Sequence, residues 1–136
     1  MEKVDDKIKR LIDANFNRLR EGLRVVEDIA RFVLDNKKLT EEIKNMRSEV
    51  GSLQKEYDFL AFRDTPNDKG TSITSDIEKK RENINEIISA NLKRAEESER
   101  VLEEIFKLFD TKVSAKFKQL RYKTYTLEKE LLKDHE

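Results

Sequence analysis

The chain contains one segment twice. Residues 12–35, IDANFNRLREGLRVVEDIARFVLD, are echoed by residues 88–110, ISANLKRAEESERVLEEIFKLFD. In register, Ile12, Ala14, Asn15, Arg18, Glu21, Arg24, Val25, Glu27 and Ile29 match Ile88, Ala90, Asn91, Arg94, Glu97, Arg100, Val101, Glu103 and Ile105, an offset of 76 residues. A fainter echo follows at an offset of 74: Ile43, Met46, Arg47, Leu53, Lys55 and Glu56 against Phe117, Leu120, Arg121, Leu127, Lys129 and Glu130. Such a chain is constrained to two like units of two helices each. A repeated core needs only the apolar positions, so repeated Asn and Arg point to a repeated site.

Breakers and caps place four helices. The first runs from about Val4 to Asp35, where Asn36 tolerates the left-handed conformation that ends helices. The second starts near Thr40, a hydroxyl N-cap, and runs to about Phe62. A loop over 63–75 holds the only Pro. The third helix opens at the capping box Ser75-Asp-Ile-Glu78 and runs to about Asp110; the fourth covers Ser114 to Lys133. The expected fold is all-α: an antiparallel four-helix bundle of two duplicated hairpins, ordered up-down-up-down with an internal two-fold. It forms one domain over 1–136, with repeat halves at about 1–62 and 76–134.

Composition narrows the function. Of 136 residues, 43% are charged, but the apolar 36% recur at helical spacing, so a folded bundle is expected rather than disorder. The 29 basic and 29 acidic residues cancel, which argues against a nucleic-acid partner or a polybasic membrane arm. No apolar run approaches a membrane span, and the N-terminus lacks a signal peptide's apolar core. The chain has no Cys, which makes a cytoplasmic location the default and removes thiol chemistry. The one histidine, His135, stands beside the C-terminus, so His-based triads and metal sites are not expected. What remains suits positioning and charge neutralisation of a phosphorylated substrate.

On a helical projection the stripe of the first helix is drawn by Leu11, Leu19, Val26, Ile29 and Val33, and Asn15, Arg18 and Gly22 fall on or beside it. Asn91, Arg94 and Ser98 take the same places in the third helix. Arg47 sits among Ile43, Met46 and Val50, and Arg121 among Phe117, Leu120 and Leu127. Two Asn and four Arg are therefore expected to point inward. An unpaired buried guanidinium costs several kcal/mol. Glu21 and Glu97, one turn from Arg18 and Arg94, could neutralise them in a register-fixing network; a bound polyanion is the alternative. Glu27, Asp28 and Arg24, with Glu103, Glu104 and Arg100, project away as a solvated or dimer-facing surface, compatible with a monomer or a homodimer.

The loop RDTPNDKGT, Arg63 to Thr71, has a composition suited to phosphate and Mg²⁺. Arg63 and Lys69 can neutralise phosphates, Asp64 and Asp68 can hold Mg²⁺, and Thr65, Gly70 and Thr71 offer hydroxyls and amides. The Walker A pattern is absent. An acidic and basic turn joining the hairpins is the plainer alternative.

DANFNRLREGLRVVEDIARF, the arginine after Met46, RDTPNDKGT, ANLKRAEESERVLEEIFK and LRYKTYTLEKEL together resemble the small all-helical hydroxymethylpyrimidine phosphate kinase family of thiamin biosynthesis. That family is unrelated to the ribokinase-like enzyme of the same activity and is often fused ahead of thiamin phosphate synthase. No synthase segment follows here, which suits a stand-alone or excised domain. The resemblance spans essentially the whole chain. It implies that Mg-ATP phosphorylates 4-amino-5-hydroxymethyl-2-methylpyrimidine phosphate to the diphosphate, with ATP and Mg²⁺ as cofactors and thiamin phosphate synthase as a partner. The second repeat departs by carrying Ser98-Glu99 where the first has Gly22-Leu23.

On that reading Arg18, Arg94, Arg63 and Asp64 are the catalytic group. Arg47 and Arg121 align phosphates. Asn15 and Asn91 bond phosphate or the aminopyrimidine edge. Tyr122 stacks on a ring. Glu21 and Glu97 orient arginines or aid metal binding, and Asp64 and Asp68 hold Mg²⁺. The alternative function is a non-catalytic helical module that binds a phosphorylated metabolite or docks on thiamin phosphate synthase.

Overall fold

The computed structural model describes residues 5–73 and 80–133. Four long helices carry the fold: α1 (Asp6–Asp28), α2 (Lys37–Glu56), α3 (Ile84–Phe106) and α4 (Thr111–Lys133). No strand occurs among the described residues. The all-α, two-hairpin expectation holds. No helix among the described residues is long and apolar enough to cross a membrane.

Local chemistry moved the boundaries. Asp5 caps α1 by accepting the Ile8 N–H at 2.9 Å. The helix then widens into one π-helical stretch, Ile29–Val33. It ends at Asp35, whose φ of 50° is the left-handed conformation assigned from sequence to Asn36. Asn36 instead caps α2, its side chain accepting the Leu39 N–H at 3.0 Å. The expected cap Thr40 lies inside the first turn and donates to the Asn36 carbonyl. Helix α2 stops at Glu56 rather than Phe62 because Tyr57 turns into the core and packs edge-on against Phe106 at 4.9 Å.

The capping box Ser75–Glu78 lies within residues 74–79, outside the described residues, and α3 begins later, at Ile84. Asn83 is its cap, accepting the Glu86 N–H. Asp110 accepts the Val113 N–H ahead of α4, displacing the expected start at Ser114. The Ser114 hydroxyl is occupied elsewhere, donating to the Glu103 carbonyl at 2.7 Å.

The hairpins α1–α2 and α3–α4 meet through α1 and α3. Gly22 lies at Asn91 and Ala95, whereas Phe16, earlier in α1, meets Phe106, later in α3. The two central helices are thus antiparallel. Tyr57, after α2, reaches Phe106 and Phe109 near the end of α3, so α2 and α3 run the same way. The order is up-down-down-up, not up-down-up-down. A short connection would force α2 and α3 antiparallel. The chain from Tyr57 to Asn83 is long enough, at roughly 3.3 Å per residue, to cross the bundle before α3 starts.

The core is where α1 and α3 face each other, filled by Phe16, Leu19, Leu23, Leu92, Leu102 and Phe106, all fully buried. Phe16 sets its edge against both Phe106 and Phe117. Each such ring contributes about 1.5–3 kcal/mol by burial. Two expected stripe residues lie outside it: Leu11 is 37% exposed and Val33 54%. The π-helical stretch rotates Val33 off the stripe, and Leu11 sits at its edge, facing the loop. At Gly22 α1 and α3 approach closely: a Cβ there would stand 2.9 Å from the Asn91 carbonyl oxygen.

Candidate functional site

The buried polar residues resolve into a repeated framework. In the first hairpin Glu27 accepts from Arg47 Nε at 3.0 Å. In the second, Glu103 accepts from Arg121 Nε at 3.2 Å and Nη2 at 2.9 Å. Glu27 and Glu103 are 4% and 5% exposed, so the expectation of a solvated surface fails for them. They project toward the partner helix of their own hairpin, where the arginine neutralises them. Tyr125, accepting from Arg121 Nη1, and Glu103 hold that guanidinium charged and raise its pKa further. The arginine partners are therefore not Glu21 and Glu97. Asn15 and Asn91 each donate their amide to their own helix, to the Leu11 and Ile87 carbonyls at 2.9 Å. The expected convergence of four arginines on one interior anion does not occur.

Arg18 and Arg94 point outward and are exposed, as are Glu21 and Glu97. None of these four side chains makes an ion pair or hydrogen bond with the described residues. The two arginines flank the α1–α3 crossing: Arg18 is one turn before Gly22, and Arg94 precedes Ala95, which lies against Gly22.

The loop folds back on α1 through one clamp. Arg63 donates from Nε to Asp13 Oδ2 at 2.8 Å and from Nη2 to Asp13 Oδ1 at 3.1 Å. This is the bidentate arrangement in which Arg is strongest. Asp13 is buried and Arg63 is 43% exposed, so the guanidinium keeps a wet side. The hydrogen bond from Asp13 raises its pKa above the ordinary value. Behind the clamp, Lys9 stands 4.7 Å from the Phe62 ring centre, which seats the turn Leu60–Phe62 on α1.

Beyond the clamp a short turn, Thr65–Asn67, brings Asp64, Thr65 and Asp68 over α1. They enclose a cleft of about 440 Å³ with Lys7, Arg10, Ala14, Asn17 and the Asp13–Arg63 pair. Asp64 Oδ2 accepts from Asn67 at 2.8 Å, and Asp68 Oδ1 accepts from the Gly70 N–H at 2.8 Å. The second oxygen of each carboxylate has no hydrogen-bond partner among the described residues. No group of three or more acidic or histidine side chains able to hold a metal occurs among the described residues. The residues of this cleft that could hold Mg²⁺ are Asp64 and Asp68, since near phosphates that ion is usually bound by one or two carboxylates with phosphate and water completing the shell.

Lys69, Gly70 and Thr71 are exposed and do not line this cleft, and the Thr71 hydroxyl donates to the Asp68 carbonyl. Tyr122 lies on α4, 47% exposed, between the cations of Lys118 and Arg121, and does not line it either. The sequence reading missed Asp13, Lys7, Arg10 and Asn17. Asp13 carried a signal, an acid flanked by apolar Ile12 and Ala14 in a segment whose counterpart is Ser89.

The ThiD2 family pattern matches residues 10–130. Among curated proteins, the chain is 49% identical over 125 residues to a thiamine-phosphate synthase of Synechocystis, covering 92% of this chain and 36% of that protein. It is 42% identical over 131 residues to a thiamine-phosphate synthase of Nostoc punctiforme, covering 96% and 37%. The chain thus spans about a third of the length of these relatives. No solved structure matches. With the pattern covering nearly the whole chain, the protein belongs to the ThiD2 family, a family of thiamin biosynthesis.

Proposed function

We propose that this domain is the kinase that phosphorylates 4-amino-5-hydroxymethyl-2-methylpyrimidine phosphate with Mg-ATP. The observation that carries the reading is the Arg63–Asp13 clamp, which fixes a half-exposed guanidinium in the wall of a cleft that Asp64 and Asp68 also line. An acceptor that is itself a phosphate is already ionised near neutral pH, so no strong base is required. Its oxygen attacks the γ-phosphorus, the bond to the β,γ-bridging oxygen breaks, and ADP departs. The barrier lies in bringing two polyanions together, and catalysis is positioning and neutralisation.

Arg63 neutralises the nucleotide phosphates. Asp64 and Asp68 would hold Mg²⁺, which supplies further neutralisation and orients the γ-phosphoryl. Lys7 and Arg10 add charge from α1, and Thr65 a hydroxyl. Arg18, one turn beyond the cleft residue Ala14, and Arg94 across the helix crossing meet the transferring phosphoryl from the outer face. Arg47, Arg121, Asn15 and Asn91 support this from within, through their bonds to Glu27, Glu103 and helix carbonyls.

The test is transfer of labelled γ-phosphate from ATP to the pyrimidine phosphate, with the product identified as the diphosphate. A second reading is favoured by the coverage of the relatives: the chain matches only about a third of the length of thiamine-phosphate synthases, the size of a binding module for such an enzyme. It predicts tight binding of the pyrimidine phosphate with no label transfer.

A further inference from the structure

The two hairpins share a framework but differ in one place. The register of the repeat puts Asn17, Arg20, Ser48, Gly51 and Gln54 opposite Lys93, Glu96, Tyr122, Tyr125 and Glu128. Both sets form the same kind of link between a hairpin's two helices. In the first, Arg20 donates to Gln54 at 2.8 Å and Gln54 donates to Asn17 at 3.2 Å. In the second, Lys93 bonds Glu128 at 3.2 Å and pairs with Glu96 at 3.5 Å. The second half is thus acidic and carries two tyrosines where the first has Ser48 and Gly51. The first half is cationic and hollow.

That hollow is a groove of about 490 Å³ between α1 and α2, bounded by Arg20, Ser48, Gly51, Ser52 and Lys55 and closed at one end by Arg63. A Cβ at Gly51 would stand 4.0 Å from the Arg20 guanidinium, in the space a ligand atom would use. The acids at its edge are engaged: Asp13 by Arg63, and Asp58 by the Leu60 N–H. Its cations are Arg20, Lys55 and the wet side of Arg63.

We infer that this groove binds a phosphate monoester, held by Arg20, Lys55 and the hydroxyls of Ser48 and Ser52. On the kinase reading, which supplies only the ligand's identity, it is the phosphate of the pyrimidine. Arg63 then stands in the wall between two anion sites, acceptor on one side and nucleotide on the other.

The test is titration of the isotope-labelled chain with inorganic phosphate and with the pyrimidine phosphate, followed by amide and Arg Nε resonances. Saturable shifts are expected at Ser48, Gly51, Ser52 and Arg20. Loss of one charge-assisted contact in R20Q should weaken both ligands by about tenfold or more. G51Y, which installs the second repeat's residue, should do the same by filling the groove. Both variants should melt like the wild type and bind Mg-nucleotide unchanged.

Shifts confined to the loop or to Arg18 and Arg94, or wild-type affinity in R20Q and G51Y, would overturn the inference. Phosphate binding at the groove with no preference for the pyrimidine phosphate upholds the anion site and counts against the kinase reading alone.

Discussion

Arg63 reaches back 50 residues to Asp13 and holds both of its carboxylate oxygens, at 2.8 and 3.1 Å. This one pair attaches the loop to α1, shields a buried carboxylate and forms the wall between the two clefts. Arg63→Ala would leave Asp13 unpaired and should cost about 1–3 kcal/mol of stability. Turnover should fall far more, by about 10²-fold or more, on the scale of losing one preorganised electrostatic contact. Arg63→Lys keeps the charge but not the fork and should restore stability better than turnover. Melting curves and initial rates on the same preparations separate the effects.

Arg121 and Arg94 should behave oppositely. The Arg121 side chain is 11% exposed and that of its partner Glu103 only 7%, so Arg121→Ala leaves a buried carboxylate with only Arg100, at 3.9 Å, and should cost about 3–5 kcal/mol. The Arg94 side chain is exposed and makes no ion pair or hydrogen bond with the described residues, so Arg94→Ala should leave the melting temperature nearly unchanged and lower turnover. A melt that drops for Arg94→Ala, with unchanged activity in the folded fraction, would make that residue structural.

The two helical glycines should respond with opposite signs to alanine. At Gly22 the new Cβ meets the Asn91 backbone carbonyl at 2.9 Å, and two central helices would have to separate. Gly22→Ala should cost about 1–3 kcal/mol, outweighing its gain of about 1 kcal/mol in helix propensity. At Gly51 the nearest atoms are those of the flexible Arg20 at 4.0 Å, so Gly51→Ala should stabilise by about 0.5–1 kcal/mol. Denaturant midpoints measure both.

Glu99 gives the fold a pH dependence. It is fully buried, with only the Thr124 hydroxyl donating to Oε2 at 2.9 Å. Burial pushes its carboxyl from 4.5 up to about 8, only partly offset by Thr124. The folded state therefore keeps a proton that the unfolded chain releases above pH 4.5. Stability contributed by this group falls as pH rises between 4.5 and about 8, with a slope approaching about 1.4 kcal/mol per pH unit. Burial raises the neighbouring Glu96 in the same direction. Glu99→Gln should flatten the profile and be more stable than wild type in mild alkali, as read by denaturant unfolding across that window.

The repeat made the hairpins legible, because Leu19, Val26, Leu102 and Phe117 follow a helical period that tertiary packing obeyed. It also singled out Glu27 and Glu103, yet their roles were misread. A projection of one helix shows which face is apolar but not where the partner helix stands, and both acids point at that partner. The same blindness put Arg18 and Arg94 inside. The direction of α3 was hidden because a long connection imposes no polarity on its neighbours. Asp13 was hidden because its partner lies 50 residues away. The loop residues Arg63, Asp64, Thr65 and Asp68 were legible from composition alone, and the fold brings them to one cleft.

The most direct measurement is ADP release by the wild-type chain with Mg-ATP and the pyrimidine phosphate, run beside the unphosphorylated alcohol. The expected result is Mg-dependent turnover of the phosphate and little or none of the alcohol, because on the proposed reading the cations act on the acceptor's own charge. No ADP release from a folded preparation that binds the pyrimidine phosphate tightly would contradict the kinase reading.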